Sequence, residues 1–325
     1  MTDPHDLGAV TVSMLLGLDG PIRAEVEALA ASLAAGPRPD VVLLSNAMLV
    51  GVARGLGERL GAPVACTLQG EEPFLDALPA PHREAAWDAL RTHARDVRRF
   101  LAVSAAYGAA MADRLALSSD RLRVVWNGID VDDLAPAETA PAAPTIGYLA
   151  RMSREKGLET LVDAFLRIEE PADVRLRIAG VRLAGDVPFV DSLLRRVEAA
   201  GRGDRVDVRP NVSREEKARF LRSLSVLSVP ATVGESFGLY LLEAWACGVP
   251  VVQPRHAAFP ELVEATGGGV LCAPDDPADL AAALSRLLSD EPERARLGAA
   301  GREAVLDRFT SDAMAARVEE ALDAL

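Results

Sequence analysis

The chain has 325 residues, half of them hydrophobic, 4% aromatic and 26% charged, with a formal net charge of −13. That length carries about two domains at roughly 100–200 residues each, and the composition is that of a folded chain rather than a disordered one. The acidic balance excludes a nucleic-acid partner, whose phosphates are gripped by clustered Lys and Arg, and disfavours tight adsorption to anionic lipid.

The opening MTDPHDLGAV lacks the charged flank and apolar core of a signal peptide, and no stretch reaches the ~18 apolar residues of a membrane span. A cytoplasmic location is expected, with Cys66, Cys247 and Cys272 as reduced packing residues, because no pair has metal-ligand spacing. Apolar runs at 39–46, 62–70, 100–105 and 122–128 predict buried parallel strands, with helices over 22–36 and 48–61 between them. Residues 134–145, LAPAETAPAAPT, carry no apolar periodicity and read as a linker, which predicts domains at 1–138 and 139–325. Further strands are predicted at 145–150, 174–180, 205–210, 226–231 and 249–254. Leu158, Leu161, Val162, Phe165 and Leu166 recur at helical spacing and predict a core-facing stripe. The alternation of strand, turn and helix predicts an α/β protein with two doubly wound, Rossmann-like parallel sheets.

Sheets of this kind bind ligands beyond the carboxyl ends of their strands, so the loops after 150, 180, 210, 231 and 254 hold the candidates. RMSREKG, after the strand at 145–150, carries Arg151 and Lys156, two cations suited to a leaving diphosphate or, more plainly, two solvated surface charges. GESFGLYLLEAWACG, residues 234–248, sets Glu235 and Glu243 eight positions apart around Gly238. Gly238 lets a phosphate approach the backbone, and the N–H groups that open the following helix face an anion. Glu243 falls on that helix and Glu235 in the loop before it. A carboxylate accepts two hydrogen bonds side by side, which suits the vicinal hydroxyls of a ribose or hexose. The alternative is a pair of exposed acids near a helix start, where negative charge is favoured anyway.

These segments carry a resemblance. ESFGLYLLEAWACGVPVV resembles the E-x7-E region of the family-4 retaining glycosyltransferases, which have the two-lobed GT-B fold, and ARMSREKGLETLVDAF is similar to their phosphate-clamp segment. VVWNGID is similar to their interdomain crossing and FTSDAMAARVEEAL to their closing helix, so the resemblance runs from about residue 39 to the C-terminus. It implies transfer of a hexosyl group from a nucleoside-diphosphate sugar to a hydroxyl acceptor, with retention at the anomeric carbon and without a divalent metal or other cofactor. Carried over by residue, it implies that Arg151 and Lys156 neutralise the diphosphate, Glu235 holds donor-sugar hydroxyls and Glu243 binds the ribose. Ser236, Phe237, Gly238 and Leu239 would line the donor, the last three through backbone N–H groups, and Arg209 to Asn211 would lie near the base.

The chain departs from that family in three places. It opens without the usual first strand and Gly-rich loop, so the start of the N-terminal lobe is expected to be missing and its sheet edge bare; a homo-oligomer covers it, the true start lies upstream, or the opening residues rebuild the edge, and the sequence does not choose among these. Gln69-Gly70 stands where many members have His-Gly; Gln69 does not titrate near neutral pH but can hydrogen-bond a sugar. Trp126 replaces a proline in the crossing, and the segment at Asn211 lacks the usual glycine. Two other readings stay open: a catalytically idle nucleotide-sugar-binding or assembly protein, and a nucleotide-sugar epimerase on the same scaffold.

The remaining candidates read as structural. His5, His82, His93 and His256 form no ligand cluster or triad, and the sequon at Asn211 has no meaning without secretion. Ser104 and the Ser45-Asn46 pair are expected helix caps, and Glu71, Glu72 and Asp76 a solvated acidic loop. His256 and Glu261 follow a second-domain strand near the proposed donor site.

Overall fold

The structure, a computed structural model, describes residues 4–323 and 325, without the side chains of Pro4, His5 and Asp6. The expectation for His5 therefore lies outside the described residues. The chain forms two compact units, one running to Trp126 and rejoined by Ala315–Leu325, the other Asn127–Met314. The linker composition points to a division at 138/139, whereas the compact units divide at 126/127 and the last residues join the first unit. Two contacts hold them there: Arg99 donates to the Ala321 carbonyl, and the Arg317 guanidinium lies 5.8 Å from the Trp126 ring centroid. Trp126, the residue that replaces the family's proline, thus provides an aromatic face for a cation.

In the first unit, β1 (Val42–Leu44), β2 (Val64–Leu68), β3 (Arg99–Ala102) and β4 (Leu122–Val124) form a parallel sheet in that order. β2 and β3 are buried along their whole length, Thr67 and Arg99 included, as strands of a parallel sheet covered on both faces are. The opening residues do not rebuild an edge. They form the helix Pro4–Leu16, which packs against the helix His82–His93 so tightly that a Cβ on Gly8 would lie 2.5 Å from the His82 ring. Asn46 caps the turn that follows β1 by accepting from the Met48 N–H, and Ser104 caps the helix Ala105–Leu115 by accepting from Tyr107 N–H at 3.1 Å.

The second unit holds β5 (Thr145–Leu149), β6 (Arg175–Gly180), β7 (Val206–Pro210), β8 (Val226–Leu227), β9 (Val251–Pro254) and β10 (Gly269–Cys272). All neighbours are parallel, and the spatial order is β10-β9-β8-β5-β6-β7. Counted from β5, this is the Rossmann order, and the direction of winding reverses between β5 and β8. β10 has no counterpart among the strands predicted from sequence. The core packs Ile146, Tyr148, Leu176 and Ile178 of the sheet against the helix Leu158–Arg167, which buries Leu158, Leu161, Val162, Ala164 and Phe165, the predicted stripe. No helix among the described residues is long and apolar enough to cross a membrane.

Candidate functional site

The reversal between β5 and β8 opens the crevice where a sheet of this order takes ligands, and the two loops beside it carry the strongest sequence candidates. The loop after β5 contains Arg151 to Gly157, and the loop after β8 runs through Ala231 to Gly238. They are laced together. Gly157, the N-cap of the helix Leu158–Arg167, has φ +71°, and a Cβ built on it would lie 1.7 Å from the Pro230 carbonyl oxygen. Only glycine allows both that backbone conformation and that approach. Beside it, the Thr232 N–H donates to the Glu155 carbonyl at 2.9 Å.

The lacing brings Lys156 to Glu235, with Nζ 2.6 Å from Oε2. The same oxygen accepts the Tyr240 hydroxyl at 3.1 Å. The Glu235 side chain is 12% exposed and that of Lys156 34%, so the pair sits at the mouth of the crevice rather than in bulk water. Arg151 leaves β5 in another direction and makes a two-pronged bond to Asp186, at 3.1 and 3.0 Å. Burial works to raise the Asp186 carboxyl, but the bonds from Arg151 and the Leu183 N–H outweigh it and hold the group below the usual carboxylate range.

Gly238 caps the helix Leu239–Ala246 at φ +95°, and the first N–H groups of a helix have no intrahelical acceptors. Leu239 is exposed at that end, whereas Phe237 is buried, its ring 6.4 Å from that of Phe309. Ser236 is partly buried. Glu243 lies on the helix but is not brought to Glu235. Its Oε1 accepts from Lys217 Nζ of the helix Arg214–Arg222, in a cavity of about 160 Å³ lined also by Ile129, Asp130, Asp133, Leu134 and Arg214.

Asn211 adopts φ +57°, donates its N–H to the Gly180 carbonyl at 2.8 Å and accepts from Arg182 N–H at 3.2 Å. The absent glycine is thus met by asparagine, which enters the left-handed region more readily than other side chains. Arg209 pairs with Asp207 at 2.8 Å beside a cavity of about 390 Å³ that it lines with Arg219. His256 turns Nε2 to the Ala231 carbonyl at 3.0 Å, bracing the loop that holds Glu235.

In the first unit, Gln69 follows β2 on the surface. The loop beyond it is not a solvated acidic loop. Glu71 is buried and accepts from the backbone N–H groups of Ala47, Gln69 and Gly70 and from the Tyr107 hydroxyl, all within 3.0 Å. A carboxylate so supplied with donors is stable in the interior, and it ties the loops after β1 and β2 to the helix after β3. Asp76 is held by Arg114 and by the Trp87 indole N–H.

Sequence reasoning missed Tyr240, Lys217 and Asp186. Tyr240 stands five residues after Glu235, but its role depends on how the loop turns at Gly238. Lys217 and Asp186 lie 26 and 35 residues from their partners in sequence, and only tertiary packing joins them.

Two parallel α/β sheets, the second in Rossmann order with paired cations and carboxylates at its reversal point, are the architecture of the GT-B glycosyltransferases. Glycosyl transferases group 1 matches residues 133–304 and Glycosyltransferase Family 4 matches residues 10–133; the chain belongs to the glycosyl transferases group 1 family. It is similar to the D-inositol 3-phosphate glycosyltransferase of Xylanimonas cellulosilytica, at 33% identity over 265 residues, 76% of this chain and 57% of that protein. It is also similar to the phosphatidyl-myo-inositol mannosyltransferase of Mycobacterium leprae, at 36% identity over 58% of this chain and 50% of that one. The chain spans about half the length of these curated relatives. Among solved structures, Anabaena Alr3699/HepE in complex with UDP matches 100% of this chain and 85% of its own with a TM-score of 0.79, and at 21% identity that likeness speaks to the fold alone.

Proposed function

We propose that the chain is a retaining glycosyltransferase that moves a hexosyl group from a nucleoside-diphosphate sugar to a hydroxyl acceptor. The observation that carries this reading is the Lys156–Glu235 pair at the reversal between β5 and β8, with a helix N-terminus beside it. Lys156 has three N–H donors on a flexible stem, so it can turn from Glu235 to a phosphate oxygen. Arg151 adds a second cation, and the N–H groups from Phe237 to Leu239 meet the remaining phosphate oxygens. Together they take the charge that develops on the leaving diphosphate, the role a divalent cation has in other sites, so we propose that none is needed. Glu235 accepts from donor-sugar hydroxyls and Glu243 from the ribose. Gln69 hydrogen-bonds a sugar hydroxyl.

The activities named for the relatives, on inositol phosphate and phosphatidylinositol acceptors, make a polyol hydroxyl the first acceptor class to try. The test is calorimetric titration with UDP and GDP, each with and without Mg²⁺, followed by donor turnover with polyol acceptors. Metal-independent binding of one nucleotide and release of it from its sugar conjugate are expected. Binding that appears only with Mg²⁺, or none at all, would overturn the reading.

A further inference from the structure

Each acid of the E-x7-E pair is gripped by a side chain from elsewhere in the second unit. Oε2 of Glu235 takes both Lys156 Nζ, at 2.6 Å, and the Tyr240 hydroxyl, at 3.1 Å. A carboxylate oxygen offers two lone-pair sites, so Oε2 is full and Oε1 is the oxygen left for a ligand. If Lys156 turns toward a diphosphate, Tyr240 is the remaining contact that keeps Glu235 in place. Burial pushes the Tyr240 phenol well above its ordinary value and the Glu235 charge adds to this, so it remains a donor at any ordinary pH.

Glu243 is held differently. Lys217 Nζ occupies its Oε1, which leaves Oε2 for a ligand, and Glu243 lines the cavity. The other two acids lining that cavity, Asp130 and Asp133, are both taken by Arg214, at 2.7 and 3.0 Å. Lys217 is therefore not shared with them, and its ammonium fixes the direction of one carboxylate.

Resting on the reading that Glu235 faces the donor sugar and Glu243 the ribose, we propose that Tyr240 and Lys217 are positioning residues that divide the donor between them. Tyr240 orients the acid that reads the sugar. Lys217 orients the acid that reads the ribose hydroxyls.

The assay is calorimetric titration of the full chain, Tyr240→Phe and Lys217→Met with UDP, 2′-deoxy-UDP and UDP-glucose, or the guanosine counterparts if the wild type selects GDP. Tyr240→Phe should weaken the sugar conjugate relative to the free diphosphate by roughly tenfold or more, the loss of one hydrogen bond to a charged group, while leaving the ribose-to-deoxyribose ratio unchanged. Lys217→Met should compress the ribose-to-deoxyribose ratio by a similar factor and leave the sugar ratio unchanged, and Lys217→Arg should restore much of it. A merely structural role would weaken all three ligands in proportion and move neither ratio, which would overturn the proposal. So would two ratios that move together in one variant. Failure of the underlying reading is seen separately: the wild type would then bind neither nucleotide, or Glu235→Ala and Glu243→Ala would leave both ratios unmoved.

Discussion

Gly157→Ala tests whether the crevice depends on the close approach of its two loops. The substitution puts an L side chain at φ +71°, which costs roughly 1–2 kcal/mol by itself. The new Cβ would lie 1.7 Å from the Pro230 oxygen and 2.4 Å from its carbonyl carbon, and since real Cβ contacts essentially never fall below 3.0 Å, backbone must move. That movement strains the Thr232–Glu155 bond, adding about 1 kcal/mol, so a total near 2–3 kcal/mol is expected. For a unit of this size the loss corresponds to a fall in Tm of roughly 4–12 °C. A shift of about 1 Å between the loops also displaces Lys156 from Glu235 and should lower turnover by on the order of 100-fold. The assay is thermal unfolding by circular dichroism together with nucleotide titration. Gly157→Asn separates the causes, because asparagine tolerates the dihedral but carries the same Cβ. If Gly157→Ala melts within 2 °C of the wild type, or if Gly157→Asn restores stability and binding, the close approach is not what shapes the site.

Lys156→Ala should weaken nucleoside-diphosphate binding by roughly tenfold or more and leave nucleoside binding nearly unchanged, read by calorimetry; equal losses would remove Lys156 from the diphosphate. Glu235→Gln should tighten UDP or GDP while weakening the corresponding sugar conjugate, because it removes the negative charge against Lys156 and one acceptor for the sugar. Asp186→Asn should cost about 1–2 kcal/mol at pH 7, with the partly exposed Arg151 keeping the value low. The folded Asp186 carboxyl lies below its unfolded value near 3.9, so its contribution is full above that pH and is lost as pH falls through the folded value. Wild type and variant should therefore converge in urea unfolding as pH is lowered below about 4. Tyr107→Phe removes the hydroxyl that both accepts from the Glu71 N–H and donates to its carboxylate, and should cost roughly 2 kcal/mol without altering nucleotide affinity.

What was legible in the sequence follows from the range of each signal. The helix Leu158–Arg167 and the buried strands β2 and β3 declare themselves through local periodicity, and the cap at Ser104 through residue type. β8 is only Val226–Leu227, so the apolar run to 231 overstates it. β10 hides among glycines, and its pairing with β9 decides its state rather than any propensity of its own. Glu71 reads as a surface acid beside Glu72, yet it is buried because three backbone N–H groups and Tyr107 converge on it, and convergence of that kind is not written in local composition. Arg151, Lys156 and Glu235 are visible in the sequence as loop charges and Glu243 as a helix acid, but their pairing is not.

That pairing bears on how such a site works. Arg151 with Asp186, Lys156 with Glu235 and Lys217 with Glu243 leave the second unit with each of these charges matched before any ligand arrives, which avoids the penalty of partly buried, unpaired ions. A free diphosphate must then compete with Glu235 for Lys156. A complete sugar conjugate competes too, but its hydroxyls give Glu235 new donors, so the exchange comes closer to balance. Once the sugar has left, the diphosphate again faces the carboxylate without that compensation, and Glu235 recaptures Lys156 as it departs. If Glu235 reads the donor sugar as proposed, the same carboxylate thereby favours the intact donor over its spent product. On this view the tighter nucleotide binding expected of Glu235→Gln is a loss of function, since it would appear in turnover as slower release and stronger inhibition by the product.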